Sequence, residues 1–238
     1  MQISVQTYAA IAGLLMLISF VAGGFGEAYV PSQLIVSGDA NATAANIRAS
    51  DLLFRLGFAG YLIEACCDLV LALLFYALLR PVSPNLALLS AFFGIISTTL
   101  FAVAELFYFA PSLVLRDAAY LKTFSPDQLN TLALLFLKLY GLGAGLFMVF
   151  YGIGWIIRGY LIFASGYLPR LLGILMAIGG VAFVARSFLL VLAPTVPSSQ
   201  LLLAIAPGGL LLALWLLLRG VNTTRWDARV AAVSSRQA

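Results

Sequence analysis

Long apolar runs broken by short polar stretches fill this chain from end to end. A membrane-crossing helix needs ~20 predominantly apolar residues, and six runs meet that length. The pattern predicts spans over residues 8–30, 51–79, 84–110, 126–163, 169–192 and 198–218. Pro31 and Pro111 are expected to stop the first and third spans, Arg80-Pro81 to end the second, and Pro207-Gly208-Gly209 to kink the sixth. Polar residues mark the starts. Asp39 is placed to cap a short helix over residues 40–48, and Ser50 to cap the second span with Asp51 in its first turn. Ser125-Pro126-Asp127-Gln128 combines a serine cap, a proline in the first turn and a glutamine at the capping-box position. The expected fold is an all-α integral membrane bundle of six transmembrane helices over residues 1–220, followed by a basic tail at 221–238.

Composition closes off other classes. With 63% hydrophobic residues, 9% charged residues and a mean hydropathy of +1.07, the chain could not cover a soluble globule with polar groups. No basic residue precedes the first apolar run, so the N-terminus reads as a permanent helix rather than a cleaved signal. The net charge of +4 is concentrated in Arg219, Arg225, Arg229 and Arg236, beside Trp215 and Trp226, which describes an interfacial anchor and not a nucleic-acid surface. With both termini on one face, that face also holds Arg80, Arg158 and Arg170. The opposite connections hold Arg48, Arg116 and Lys122, diluted by Asp39, Asp51, Asp117 and Asp127. The positive-inside rule then places both termini in the cytoplasm and the chain in the inner (plasma) membrane, with membrane lipids as its partners. The absence of histidine removes His-ligated haem, His-based zinc sites and Ser-His nucleophile pairs, and no metal or cofactor is implied. Cys66 and Cys67 are adjacent on a helix, point about 100° apart and read as small core residues rather than a disulfide.

Against this apolar background seven charged side chains stand out: Glu27, Arg55, Glu64, Asp68, Glu105, Lys138 and Arg186. An isolated ion at mid-membrane costs ~2.5–3.5 kcal/mol or more, so each needs a partner or water. At ~1.5 Å per residue from the cytoplasmic boundary, Asp68 lies at ~18 Å, Glu64 and Arg186 at ~24 Å, and Glu27, Lys138 and Glu105 at ~28–31 Å, with Arg55 beyond the far boundary. All seven map to the outer side. The expected pairs are Glu64 with Arg186 and Glu105 with Lys138, which leaves Asp68 with no cation at its depth. Arg55, Lys138 and Arg186 together form a candidate anion site, since a guanidinium matches phosphate or carboxylate oxygens bidentately.

Several stretches carry a family likeness. They are Glu27-Ala28-Tyr29-Val30, Leu34-Ile35-Val36-Ser37-Gly38-Asp39 through Asn46-Ile47, Leu53-Phe54-Arg55-Leu56-Gly57-Phe58, Asp68, and the Leu79-Arg80-Pro81 turn. Asn85-Leu86-Ala87-Leu88-Leu89 and Gly159-Tyr160-Leu161-Ile162 leading to Ser165-Gly166-Tyr167-Leu168-Pro169-Arg170-Leu171-Leu172-Gly173 complete the set. In order and spacing these resemble an uncharacterised bacterial membrane family, the domain of unknown function numbered four-three-eight-six. Family members often carry His or Asp near Lys138 and an acid near Arg186, and this chain departs at both. The resemblance implies a small polytopic membrane protein and brings no activity with it.

Three functional classes follow from the charged residues. Glu64 and Asp68, spaced i, i+4 with Tyr61 beside them, are candidate catalytic acids if one holds a proton in low dielectric. That spacing suits a membrane enzyme acting on a lipid or isoprenoid, or a small proton-coupled transporter. The third class, and the expectation for this chain, is binding of a lipid or small amphiphile whose polar end sits in an outward-facing charged cavity. Tyr61, Tyr108, Tyr140 and Tyr151 share the charged faces on helical spacing, and Gly141 to Gly145 form a small-residue patch for close helix packing.

Overall fold

The computed structural model describes residues 4–197 and 199–237; Ser198, the expected first residue of the sixth span, lies outside them, as does the side chain of Arg236. The described chain is helical throughout, with no strand. Its helices are α1 (Val5–Leu34), α2 (Ala40–Ala49), α3 (Asp51–Leu79), α4 (Pro84–Val114), α5 (Pro126–Ser165), α6 (Arg170–Leu192), α7 (Leu202–Leu218) and α8 (Thr223–Gln237). Helices α1, α3, α4, α5 and α6 have the length and apolarity of membrane spans. Helix α7 has 17 residues and is extended at its start by a 3-10 turn, Ser199–Leu201, which brings it to spanning length. Helix α8 turns away from α7 by 99° and is polar, so it is not part of that span. The chain is a multi-pass membrane protein.

Two prolines fail to end their helices. Helix α1 runs past Pro31 to Leu34 because Gly24–Tyr29 form a π-helical turn, in which the Val30 N–H donates to the Phe25 carbonyl five residues back. A proline ring clashes with the carbonyl four residues earlier in a regular α-helix, and the wider turn relaxes that clash. In α4 the backbone stays helical at Ala110, and Pro111 opens a fresh turn over Pro111–Val114 at the first helical position, where its missing N–H is not needed. Pro207 lies inside α7 without interrupting it.

The chain forms two compact units. The first comprises Met1–Ile18, Cys67–Thr98 and Gly145–Ala238, and the second Ser19–Cys66 and Thr99–Ala144. The first unit is built on close backbone approach. Gly152 and Gly159 of α5 face Gly180 and Gly173 of α6 in antiparallel order, seven residues apart on each helix. A Cβ on Gly159 would fall 2.6 Å from the Gly173 carbonyl oxygen, and one on Gly152 would fall 2.6 Å from that of Gly180. Only glycine allows this contact, as small-residue interfaces in membranes require, because lipid tails supply no hydrophobic drive for helices to associate. In the expected patch at Gly141 to Gly145, a Cβ on Gly143 would fall 2.8 Å from that of Ala104 and one on Gly145 2.5 Å from Leu190, so close packing holds at these two, while nothing lies within 4 Å of one on Gly141. Around the crossing, Leu71, Phe75, Leu78, Trp155, Leu161, Met176, Leu212 and Leu216 fill the core.

One end of this unit is closed by a clasp. Helix α3 ends at Leu79, and the Leu78 carbonyl accepts hydrogen bonds from both the Tyr167 hydroxyl (2.7 Å) and the Trp226 indole (3.2 Å). Arg225 and Arg229 donate to the carbonyls of Gly166 and Ala164 (3.0 and 3.1 Å), where cations complement the negative end of α5. Burial pushes the Tyr167 phenol upward, Arg229 opposes this, and the hydroxyl remains a donor. The Gln6 side chain donates to the Arg219 carbonyl and accepts from the Val221 N–H, fastening the start of α1 to the α7–α8 elbow. The starts of α1 and α8 therefore meet at this clasp.

In the second unit, capping chemistry sets the helix starts. Asp39 accepts from the Ala42 N–H at the start of α2, and Ser125 and Gln128 exchange reciprocal bonds at the start of α5. Asn130 of α5 holds α2 in place, accepting from Arg48 at 2.9 Å and donating to Asn41 at 2.7 Å.

Candidate functional site

Glu105 lies on α4 in the second unit, and only 3% of it is exposed. Both of its carboxylate oxygens are buried with no hydrogen-bond partner. Three tyrosines from three helices gather around it. Tyr61 of α3, Tyr108 of α4 and Tyr140 of α5 pack edge to face, with ring centroids 4.9, 5.3 and 5.9 Å apart, and Phe54 stacks on Tyr108 at 4.8 Å. The charge of Glu105 acts on all three phenols.

Proton counting explains why the carboxylate goes unserved. Tyr61 donates its one hydroxyl hydrogen to the Gly26 carbonyl (2.9 Å), so Tyr140 donates its own to the Tyr61 oxygen (2.9 Å). Tyr140 lies within hydrogen-bonding reach of Glu105, but its one hydrogen goes to Tyr61. The third hydroxyl, on Tyr108, is buried and has no partner either. It sits over Gly57, where a Cβ would come within 2.8 Å of it. The Gly26 acceptor belongs to the π-helical turn of α1, and so does Glu27, which is exposed and whose charge acts on Glu105, Tyr61 and Tyr140.

The other expected members disperse. Lys138 does not pair with Glu105: it is exposed, and neither Glu105 oxygen has a partner. The reason is helical geometry, since Lys138 and Tyr140 are two residues apart and point about 200° from one another. With Tyr140 turned to Glu105, Lys138 must turn away. Arg55 is held by Asp51 one turn earlier at 2.6 Å, in an exposed pair. Glu64 is half-buried, and its carboxylate occupies the space where a Cβ on Gly23 would project. Arg186, in the first unit, donates to the Met148 sulfur at 2.9 Å. The cations of the candidate anion site are thus separately engaged or turned outward.

A cation lies within electrostatic reach of Asp68. Arg158, expected at the cytoplasmic boundary, is buried at 6% exposure inside the first unit, its guanidinium 4.2 Å over the Phe75 ring. Asp68 and Tyr151 are the groups whose charges act on it. The missed signal was the apolar sequence Gly159 to Ala164, which continues past Arg158 and carries the helix seven residues further, to Ser165.

No curated protein and no solved structure matches this chain. A family model matches residues 11–220, which runs from within α1 to the end of α7 and stops short of α8. On that match the chain belongs to the family described as a domain of unknown function, DUF4386.

Proposed function

We propose that this protein binds a lipid or small amphiphile in the membrane, with the polar end of the ligand at Glu105. The observation that carries the reading is a buried carboxyl group with neither oxygen hydrogen-bonded, beside a buried tyrosine hydroxyl in the same state. Buried polar atoms without partners are rare because each forgoes its hydration, so two side by side mark a place that a ligand's donors can complete. The enzyme and transport readings leaned on Asp68, whose charge is shared with buried Arg158. The arginines at the clasp, where the starts of α1 and α8 meet, favour a cytoplasmic location for that end in the inner membrane. Glu105, ~31 Å along the helix rise from Pro84, then faces the outer leaflet.

Native mass spectrometry of gently purified protein tests this. Wild type is expected to carry a discrete bound mass that Glu105→Gln and Tyr108→Phe lose and Lys138→Gln keeps. A wild-type protein with no bound mass, or one retained equally by all variants, refutes the proposal.

A further inference from the structure

We infer that the polar end taken at Glu105 is a protonated primary or secondary amine. This rests on the amphiphile reading above and narrows it by charge and by hydrogen-bond count. The charge around the site is negative. Glu105 and Glu27 act on one another and on the same phenols, while Lys138 is turned outward and Arg55 is held by Asp51. An anionic head would meet the acid Glu105, with Lys138 turned away from it.

The hydrogen-bond count points the same way. Three polar positions stand together without partners: two Glu105 oxygens, which accept, and the Tyr108 hydroxyl, which offers one hydrogen as well as lone pairs. An alcohol brings one hydrogen, so it serves at most one Glu105 oxygen while accepting from Tyr108. An ammonium brings two or three, each strengthened by charge on both partners. It also lies favourably against the electron-rich tyrosine faces. A trimethylammonium brings none, and rings packed 4.9–5.9 Å apart leave no slot for its methyl groups. Recognition here is therefore by N–H donation, not by an aromatic cage.

Such a head could belong to a single-chain amine or to an aminophospholipid, and a matched ligand series separates the two. Wild type in non-ionic micelles is titrated with dodecylamine, dodecyltrimethylammonium and dodecanol. Wild type in nanodiscs is compared in phosphatidylethanolamine and phosphatidylcholine. Bound ligand is read by native mass spectrometry. The expected result is that dodecylamine, phosphatidylethanolamine or both bind roughly tenfold or more tightly than their partners without an N–H⁺, with the preference lost in Glu105→Gln and Tyr108→Phe. Whichever of the two binds identifies the source. Dodecanol binding as tightly as dodecylamine, with Glu105 still required, overturns the amine and leaves the amphiphile reading standing. Binding of every probe unaffected by either variant overturns both. Should Glu105→Gln not fold, Gly57→Ala, which pushes on the Tyr108 hydroxyl, takes its place in the same comparison.

Discussion

The Leu78 carbonyl offers a sharp test of how the clasp works. It lies in the last turn of α3, where helix carbonyls have no partner in their own helix. Two side chains serve it, the Tyr167 hydroxyl at 2.7 Å and the Trp226 indole at 3.2 Å. A carbonyl oxygen has two lone pairs, so either donor alone keeps it satisfied. Tyr167→Phe or Trp226→Phe should each remove one neutral bond, worth about 0.5–1.5 kcal/mol, plus local packing that differs between them. The double variant also leaves a buried carbonyl with no donor, which adds about 1–3 kcal/mol. The two changes should therefore be non-additive, with the double loss exceeding the sum of the singles by about 1 kcal/mol or more. Equilibrium unfolding in mixed micelles of dodecyl maltoside and sodium dodecyl sulfate, followed by circular dichroism, measures all four corners of the cycle. Packing losses cancel in the cycle, so the coupling isolates the shared carbonyl. A double loss equal to the sum within about 0.3–0.5 kcal/mol would refute the reasoning.

Other consequences can be checked as directly. Gly173→Leu forces side-chain atoms into the α5 backbone and should abolish monodisperse protein on size exclusion, whereas Gly141→Ala, with nothing within 4 Å, should leave yield and elution unchanged. Arg158→Leu removes the guanidinium over Phe75 and the charge that acts on Asp68, and should lower stability, with Asp68→Asn recovering part of the loss in the same unfolding assay. Deleting residues 221–238 removes the Trp226 donor to Leu78 and the arginine donors to Gly166 and Ala164, and should lower the thermal midpoint while leaving binding at Glu105 intact. Lys138→Gln should shift the midpoint by less than about 1 kcal/mol equivalent, as an exposed side chain does.

The sequence carried the helices more fully than the charges. Apolar runs marked the five long apolar helices, and local capping chemistry at Asp39 and Ser125–Gln128 marked two helix starts, because both signals act within a few residues. Pro31 misled because a wider turn upstream absorbs its clash, and nothing in a run of apolar residues announces a π-helical turn. Depth counting matched Glu105 with Lys138 by height alone. Height is one coordinate and the helix face is another, and Tyr140 fixes the face. Arg158 was assigned to the boundary because basic residues near span ends usually sit there, although its apolar continuation places it within the span. Of the four phenols singled out, Tyr61, Tyr108 and Tyr140 gather and Tyr151 packs instead against Trp155 and Phe183, while the proton relay depends on contacts between helices that no local pattern encodes.

The π-helical turn of α1 sets the aim of the candidate site through a residue count. A turn of this kind holds one residue more than an α-turn, and each residue of an α-helix rotates the chain about 100°. Removing a single residue between Gly24 and Tyr29 would leave a plausible apolar helix of nearly the same length. The π-helical turn absorbs that extra residue, so the flanking segments would keep their faces and only residues within the turn would be re-aimed, by about 100°. The Gly26 carbonyl that receives the Tyr61 hydrogen and the Glu27 charge that reaches Glu105 would then no longer face the tyrosines together. With that acceptor gone, Tyr61 could turn its hydrogen elsewhere and Tyr140 could donate directly to Glu105. A one-residue length change in the first span is therefore a route by which a relative could keep the fold and silence the site.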